Sequence, residues 1–247
     1  MEDTKVPLTE HLSELRRRII VSLIAFLIGF VIAFNYSEDL FRLLTLPLRS
    51  GVSSRMSPPP SLVFLAPAEA FWMHLKVSMI AGLVISLPVI FLQLWKFVSP
   101  GLLQKERKYV IPFVIVATIF FLIGAAYCFF LVLPFAIGFL LTYKTGSMTP
   151  MLSVGSYVDF CLKFILAFGA IFELPIAIIF FTRIGIVTPK TLSKNRKYAI
   201  LVAFIVAAIL TPTPDAFNQT LMALPMIFMY EAGILLSRIF VRRSRNV

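Results

Sequence analysis

The 247-residue chain carries charge on only 14% of its residues, 59% are hydrophobic, and its mean hydropathy is +0.92. Soluble domains carry roughly a quarter charged residues, and apolar runs of about twenty residues have the length of a bilayer-spanning helix, so a soluble enzyme or binding module is excluded. The net charge of +11 does not point to nucleic acid, because its lysines and arginines sit in the polar connections and not in a basic, aromatic-interleaved surface.

In chain order, residues 1–18 are polar. Thr9 can cap a helix whose Leu8, Leu12, Leu15 and Ile19 share one face. That segment reads as a helix lying in the interface before it turns into a first span at 19–36. With no small-residue cleavage site after it, the first span is expected to be retained and not removed as a signal peptide. The longest connection, 36–65, is rich in Ser and Pro and contains an amphipathic piece, Glu38–Leu48. This piece has enough apolar surface to dock as a structured cap. Further spans are expected at 70–94, 109–134 (with Leu141 as the outer limit of its apolar run), 157–182, 197–210 and 216–236, the last two short and readable either as two spans or as a re-entrant hairpin. The expected architecture is a single all-α polytopic domain of six membrane helices over residues 1–247.

Pro88, Pro112, Pro134, Pro175 and Pro225 fall within the apolar runs, and each removes a helix hydrogen bond. Together they favour kinked helices and a curved wall. An even number of passes leaves both termini on one side. That side holds Arg16, Arg17, Arg18, Lys96, Lys105, Arg107, Lys108, the cations of 183–197 and those near the C-terminus. The opposite side has only Arg42, Arg49, Arg55 and Lys144. Both termini are therefore expected in the cytoplasm.

Three acids stand out. Glu14 and Glu106 lie on the basic side, each beside several cations. They have two readings: local pairing, such as Glu14 with Arg17 or Arg18 one helical turn away, or a carboxylate pair that receives a cationic ligand. Glu173, in AIFELPIA, lies ten residues from Arg183, about 15 Å and hence near mid-membrane. An ionisable group there is a functional-site hypothesis, against the alternative of a neutral acid bonded to a neighbouring helix. Gln93 and Gln219 either line a wet cavity or bond to a neighbouring helix. His11 and His74 have no ligand spacing, Cys128 and Cys161 fall inside apolar runs, and no phosphate loop or catalytic triad is visible. No metal, cofactor, nucleic acid or catalysis is expected. A proton-coupled small-solute transporter using Glu173 is an alternative, but the matched repeats common in such folds are not visible.

Five motifs bear on family: HLSELRRR before span 1, LPL at Leu46–Leu48, WKFVSPGLLQKERKYV after span 2, FELP in span 4 and TPTPDAFNQ before span 6. Together and in order they resemble the TatC family, the large subunit of the twin-arginine protein translocase. The resemblance implies six helices in a glove-like shape with cytoplasmic termini, in the cell inner membrane, and no enzymatic activity. It implies binding of twin-arginine signal peptides of folded cargo, small single-span partners of the TatA/TatB type, contact with lipid and with further copies of itself, and export driven by the proton-motive force. Residue by residue, it implies a signal-peptide site at Glu14 and Glu106 with Arg16 and Phe97, and an intramembrane polar site at Glu173, with Gln93 and Gln219 as further polar candidates. Pro47 and Asp215 match positions in the outer loops. TPTPD is one residue longer than the TPPD of some members.

Overall fold

A computed structural model describes residues 8–52, 61–98, 110–142, 151–211 and 215–244. The elements are α1 (Leu8–Asn35), α2 (Ser37–Leu44), α3 (Leu46–Val52), β1 (Leu62–Val63), α4 (Glu69–Val98), α5 (Val110–Tyr127) and α6 (Leu133–Thr142). They continue with β2 (Leu152–Ser153), α7 (Val154–Phe172), α8 (Leu174–Arg183), α9 (Pro189–Lys194), α10 (Arg196–Leu210) and α11 (Ala216–Ser244). Among the described residues, five segments are long and apolar enough to cross a membrane: Leu12–Asn35, Glu69–Phe97, Val110–Thr142, Val154–Arg183 and Ala216–Ile239. Their surfaces fit that solvent. On α1, Ile19, Leu23, Leu27 and Val31 are at least half exposed while Ala33 is buried. In water such a face is a liability, and in lipid it is ordinary.

The helices differ from the sequence expectation where local chemistry decides their ends. α1 runs unbroken, so the residues expected to lie flat in the interface are its first turns. No proline interrupts this run, and nothing in it stops helix propagation. The third apolar run continues past 134 to Thr142 by accommodating Pro134 in a wider turn. Cys128–Val132 forms a π-helical segment in which the Leu133 N–H donates to the Cys128 carbonyl, the kind of local adjustment that keeps a proline inside a membrane helix. Helix α10, with 15 residues, is about 22 Å long and stays shorter than a hydrocarbon core. Its successor is not short. α11 has 29 residues because the helix continues to Ser244, past the apolar span that ends at Ile239.

The prolines also divide by position. Pro88 and Pro225 lie inside helices that continue through them, Pro112 sits in the first turn of α5, and Pro175 follows a break at Glu173.

The chain forms two compact units, Met1–Phe41 with His74–Thr118, and Arg42–Met73 with Ile119–Val247. In the first unit α1 and α4 pack through glycine. A Cβ on Gly29 would lie 2.6 Å from the Gly82 carbonyl oxygen, and one on Gly82 would lie 2.6 Å from the Phe30 Cα. Only two bare backbones can come so close, a common device in helix pairs that lack a hydrophobic driving force. In the second unit α3 lies against α6, where a Cβ on Gly51 would sit 2.5 Å from the Pro134 carbonyl. The buried Tyr157 hydroxyl donates to the Leu44 carbonyl at 2.7 Å, tying α7 to α2. β1 and β2 pair in parallel, Leu62 with Leu152 and Val63 with Ser153.

Candidate functional site

Glu14 and Arg18 are one helical turn apart on α1, so their side chains meet on one face. The Arg18 guanidinium donates through Nη2 to Glu14 Oε1 at 2.9 Å and through Nη1 to Gln93 Oε1, on α4, at 3.2 Å. Gln93 is only 8% exposed, and a buried amide must be bonded. Of its two possible environments the structure supplies the neighbouring helix. The alignment of these groups follows from the glycine contact. Eleven residues separate Arg18 from Gly29 and eleven separate Gly82 from Gln93, so two antiparallel helices pinned at Gly29 and Gly82 bring Arg18 opposite Gln93 about 16 Å away.

Arg16 is exposed and two residues from both Glu14 and Arg18, a spacing that puts it on a different face. Phe97 is half-buried one turn beyond Gln93 on α4. Nearby, Trp95 stacks on Phe113 of α5 with ring centres 4.0 Å apart. Glu106 lies outside the described residues. The structure thus brings together Glu14, Arg18 and Gln93. Arg18 entered the sequence reading as a cation of the basic side and a possible neighbour of Glu14, and its bond to Gln93 depends on a helix pairing that no spacing reveals.

The second candidate region lies in the other unit. Glu173 closes α7 and opens α8, with its N–H bonded to the Ala170 carbonyl at 3.1 Å and its own carbonyl accepting from the Ala177 N–H at 2.9 Å. Pro175 explains the break, since it has no N–H to offer the preceding turn. The side chain is half-buried, approaches the backbone of Phe121, and leaves Oε1 buried without a hydrogen-bond partner. A buried polar atom left this way is uncommon in a folded protein. The flanking Phe172 and Tyr127 help to line an apolar cavity of about 510 Å³ with Leu224, Pro225 and Phe228 of α11.

Gln219 is bonded too, its Nε2 donating to the Phe204 carbonyl of α10 at 3.0 Å. Asp215 is the N-cap of α11. Its Oδ1 accepts the Asn218 N–H at 2.7 Å and its Oδ2 the Asn218 side-chain amide at 3.0 Å, which satisfies a donor every helix start leaves open. Pro47 is fully buried in the first turn of α3.

One residue outside the sequence reading holds the connection before α4 together. Glu69, at the start of α4, accepts the Leu65 N–H at 2.6 Å, the Gly155 N–H at 2.6 Å and the Ser153 hydroxyl. Three donors from two chain segments converge on one carboxylate, a charge-assisted clasp joining the 61–68 turn to the start of α7. Its only signal in the sequence is a lone acid at the head of an apolar run.

Among the described residues no cluster of three or more His, Cys, Asp or Glu could hold a metal ion. The profile of the family described as Sec-independent protein translocase protein (TatC) matches residues 10–225. The Sec-independent protein translocase protein TatC of Desulforapulum autotrophicum is 42% identical over 243 residues, covering 98% of this chain and 88% of that protein. Its counterpart in Carboxydothermus hydrogenoformans is 41% identical, covering 96% and 95%. That of Escherichia coli K12 is 35% identical, covering 100% and 93%. A crystal structure of the twin-arginine translocase receptor TatC superposes with a TM-score of 0.81 at 39% identity, covering 93% of this chain and 98% of that one. The chain therefore belongs to the TatC family and is a multi-pass membrane component of the twin-arginine translocase, with no enzymatic role.

Proposed function

We propose that this chain receives the twin-arginine signal peptides of folded cargo at the cytoplasmic face of the cell inner membrane, with Glu14 and Glu106 as the acids that read the arginines. The observation that carries this reading is that Glu14 already holds a guanidinium, that of Arg18, at 2.9 Å and only 30% exposed. A carboxylate placed to bind one guanidinium can bind another, and the planar fork suits arginine better than lysine. The exposed Arg16 and Arg17 and the cations around Glu106 would repel a basic peptide unless these acids offset them. The excess of cations on the side that holds the termini supports a cytoplasmic placement.

A photocrosslinker at position 97 in native membranes tests the reading. Crosslinks to a twin-arginine peptide are expected and should vanish in Glu14→Lys and Glu106→Lys, with both variants still inserted. Undiminished crosslinking in both would overturn it. Glu173 serves a different step in this reading. Its unpartnered Oε1 receives a polar side chain from the membrane helix of a small single-span subunit, recruited for proton-motive-force-driven passage of the cargo. Glu173→Ala should lose crosslinks to that helix and keep signal-peptide binding.

A further inference from the structure

We infer that Arg18 is an internal competitor for Glu14: an arginine of the protein's own that occupies the receiving carboxylate until a guanidinium able to use both carboxylate oxygens takes its place. Arg18 thereby sharpens the discrimination of arginine from lysine. The inference rests on the reading of Glu14 given above.

Three features of the geometry carry it. The ion pair uses one of the two oxygens of Glu14. Arg18 has a second anchor, Gln93 on α4, so it does not leave the site when Glu14 is taken from it. Its Nε is buried without a hydrogen-bond partner, so the guanidinium is held by two of its three nitrogens and not locked. An Arg–Glu pair one turn apart that engages a single carboxylate oxygen is a modest one, which suits a contact meant to be exchanged.

The two candidate ligands then meet different obstacles. A peptide arginine makes two parallel hydrogen bonds to the carboxylate, and Arg18 gives up one to make room. A peptide lysine has a compact ammonium without the fork. It gains one contact at the free oxygen and does not displace Arg18, so it shares a single carboxylate charge with that guanidinium. Arg18 thus costs a lysine ligand more than it costs an arginine ligand. Arg17 does not share this position: it is exposed, whereas the guanidinium bonded to both Glu14 and Gln93 is that of Arg18.

The experiment titrates the full chain in lipid nanodiscs with fluorescent twin-arginine and twin-lysine signal peptides. Arg18→Gln should bind the twin-arginine peptide about two- to fivefold more tightly, the factor that corresponds to the exchanged ion pair. The ratio of twin-lysine to twin-arginine Kd should fall, because the lysine peptide gains more. Arg17→Gln removes the same charge, relieves repulsion of both peptides alike, and should leave the ratio near the wild type. If Arg18→Gln does not fold, Arg18→Lys serves, since its ammonium cannot span Glu14 and Gln93 together, and the ratio should fall in the same direction. Arg18 variants with unchanged or weaker binding and an unchanged ratio would overturn the inference, as would Arg17→Gln reproducing the fall in that ratio. Glu14→Gln separates the two levels. Loss of binding there alongside no gain in Arg18→Gln removes the competitor alone, whereas wild-type binding in Glu14→Gln removes the reception site and the competitor with it.

Discussion

Gly82 offers the sharpest test of how the first unit is assembled. In Gly82→Ala the new Cβ would lie 2.6 Å from both the Cα and the N of Phe30. These are backbone atoms, so no rotamer change relieves the contact, and α1 and α4 must separate by about 0.8 Å to reach ordinary packing distance near 3.4 Å. A translation of that size carries the 3.2 Å Arg18–Gln93 bond to about 4.0 Å, beyond hydrogen-bonding range. Overpacking of this kind costs about 1–3 kcal/mol, and the better helix propensity of alanine returns about 1 kcal/mol, leaving a net loss of about 1 kcal/mol. For a chain of this size that lowers Tm by about 2–4 °C. Gly82→Leu should lose more. Scanning fluorimetry in detergent measures the shift, and Gly29→Ala should combine with Gly82→Ala in less than additive fashion, because helices already moved apart for one methyl resist the second less. Gly82→Ala melting at or above the wild type, or strict additivity in the double variant, would refute the close-contact account.

Glu69→Ala should free the 61–68 turn from the start of α7, read as faster proteolysis at 61–68 in native membranes with little change elsewhere, while Glu69→Gln, which keeps an acceptor oxygen, should be cut more slowly than Glu69→Ala. Asp215→Ala removes the N-cap of α11 and should destabilise by about 1 kcal/mol, visible as a Tm lower by about 2–4 °C, with Asp215→Asn close to wild type. Glu173→Leu removes a buried oxygen that has no partner and should raise Tm of the isolated chain while abolishing crosslinks to the small-subunit helix. A lowered Tm there would mean that the carboxylate is satisfied within the chain.

The membrane class and the approximate helices were legible in the sequence because bilayer thickness imposes run lengths, and lipid leaves the backbone no choice but helix. The family was legible from five motifs in order. Glu14, Glu106 and Glu173 stand out as candidates by type and setting, since a lone carboxylate among cations or deep in an apolar run is unusual wherever the chain folds, and Glu106 lies outside the described residues. Helix ends were less legible. The continuation of the third run to Thr142 depends on a π-helical segment that absorbs Pro134, and the length of α11 on the basic segment to Ser244 that follows its apolar span. What only the tertiary structure decided is which polar groups are already engaged. Gln93 and Gln219 look alike in sequence, but one anchors Arg18 and the other bonds the Phe204 carbonyl. Asp215 is a helix cap, and Glu69 a clasp between segments 84 and 86 residues apart. Each of these bonds joins residues whose proximity is set by helix packing, through contacts such as Gly29 on Gly82, and a hydrogen bond over a few ångströms cannot be read from a pattern that leaves the helix neighbours open.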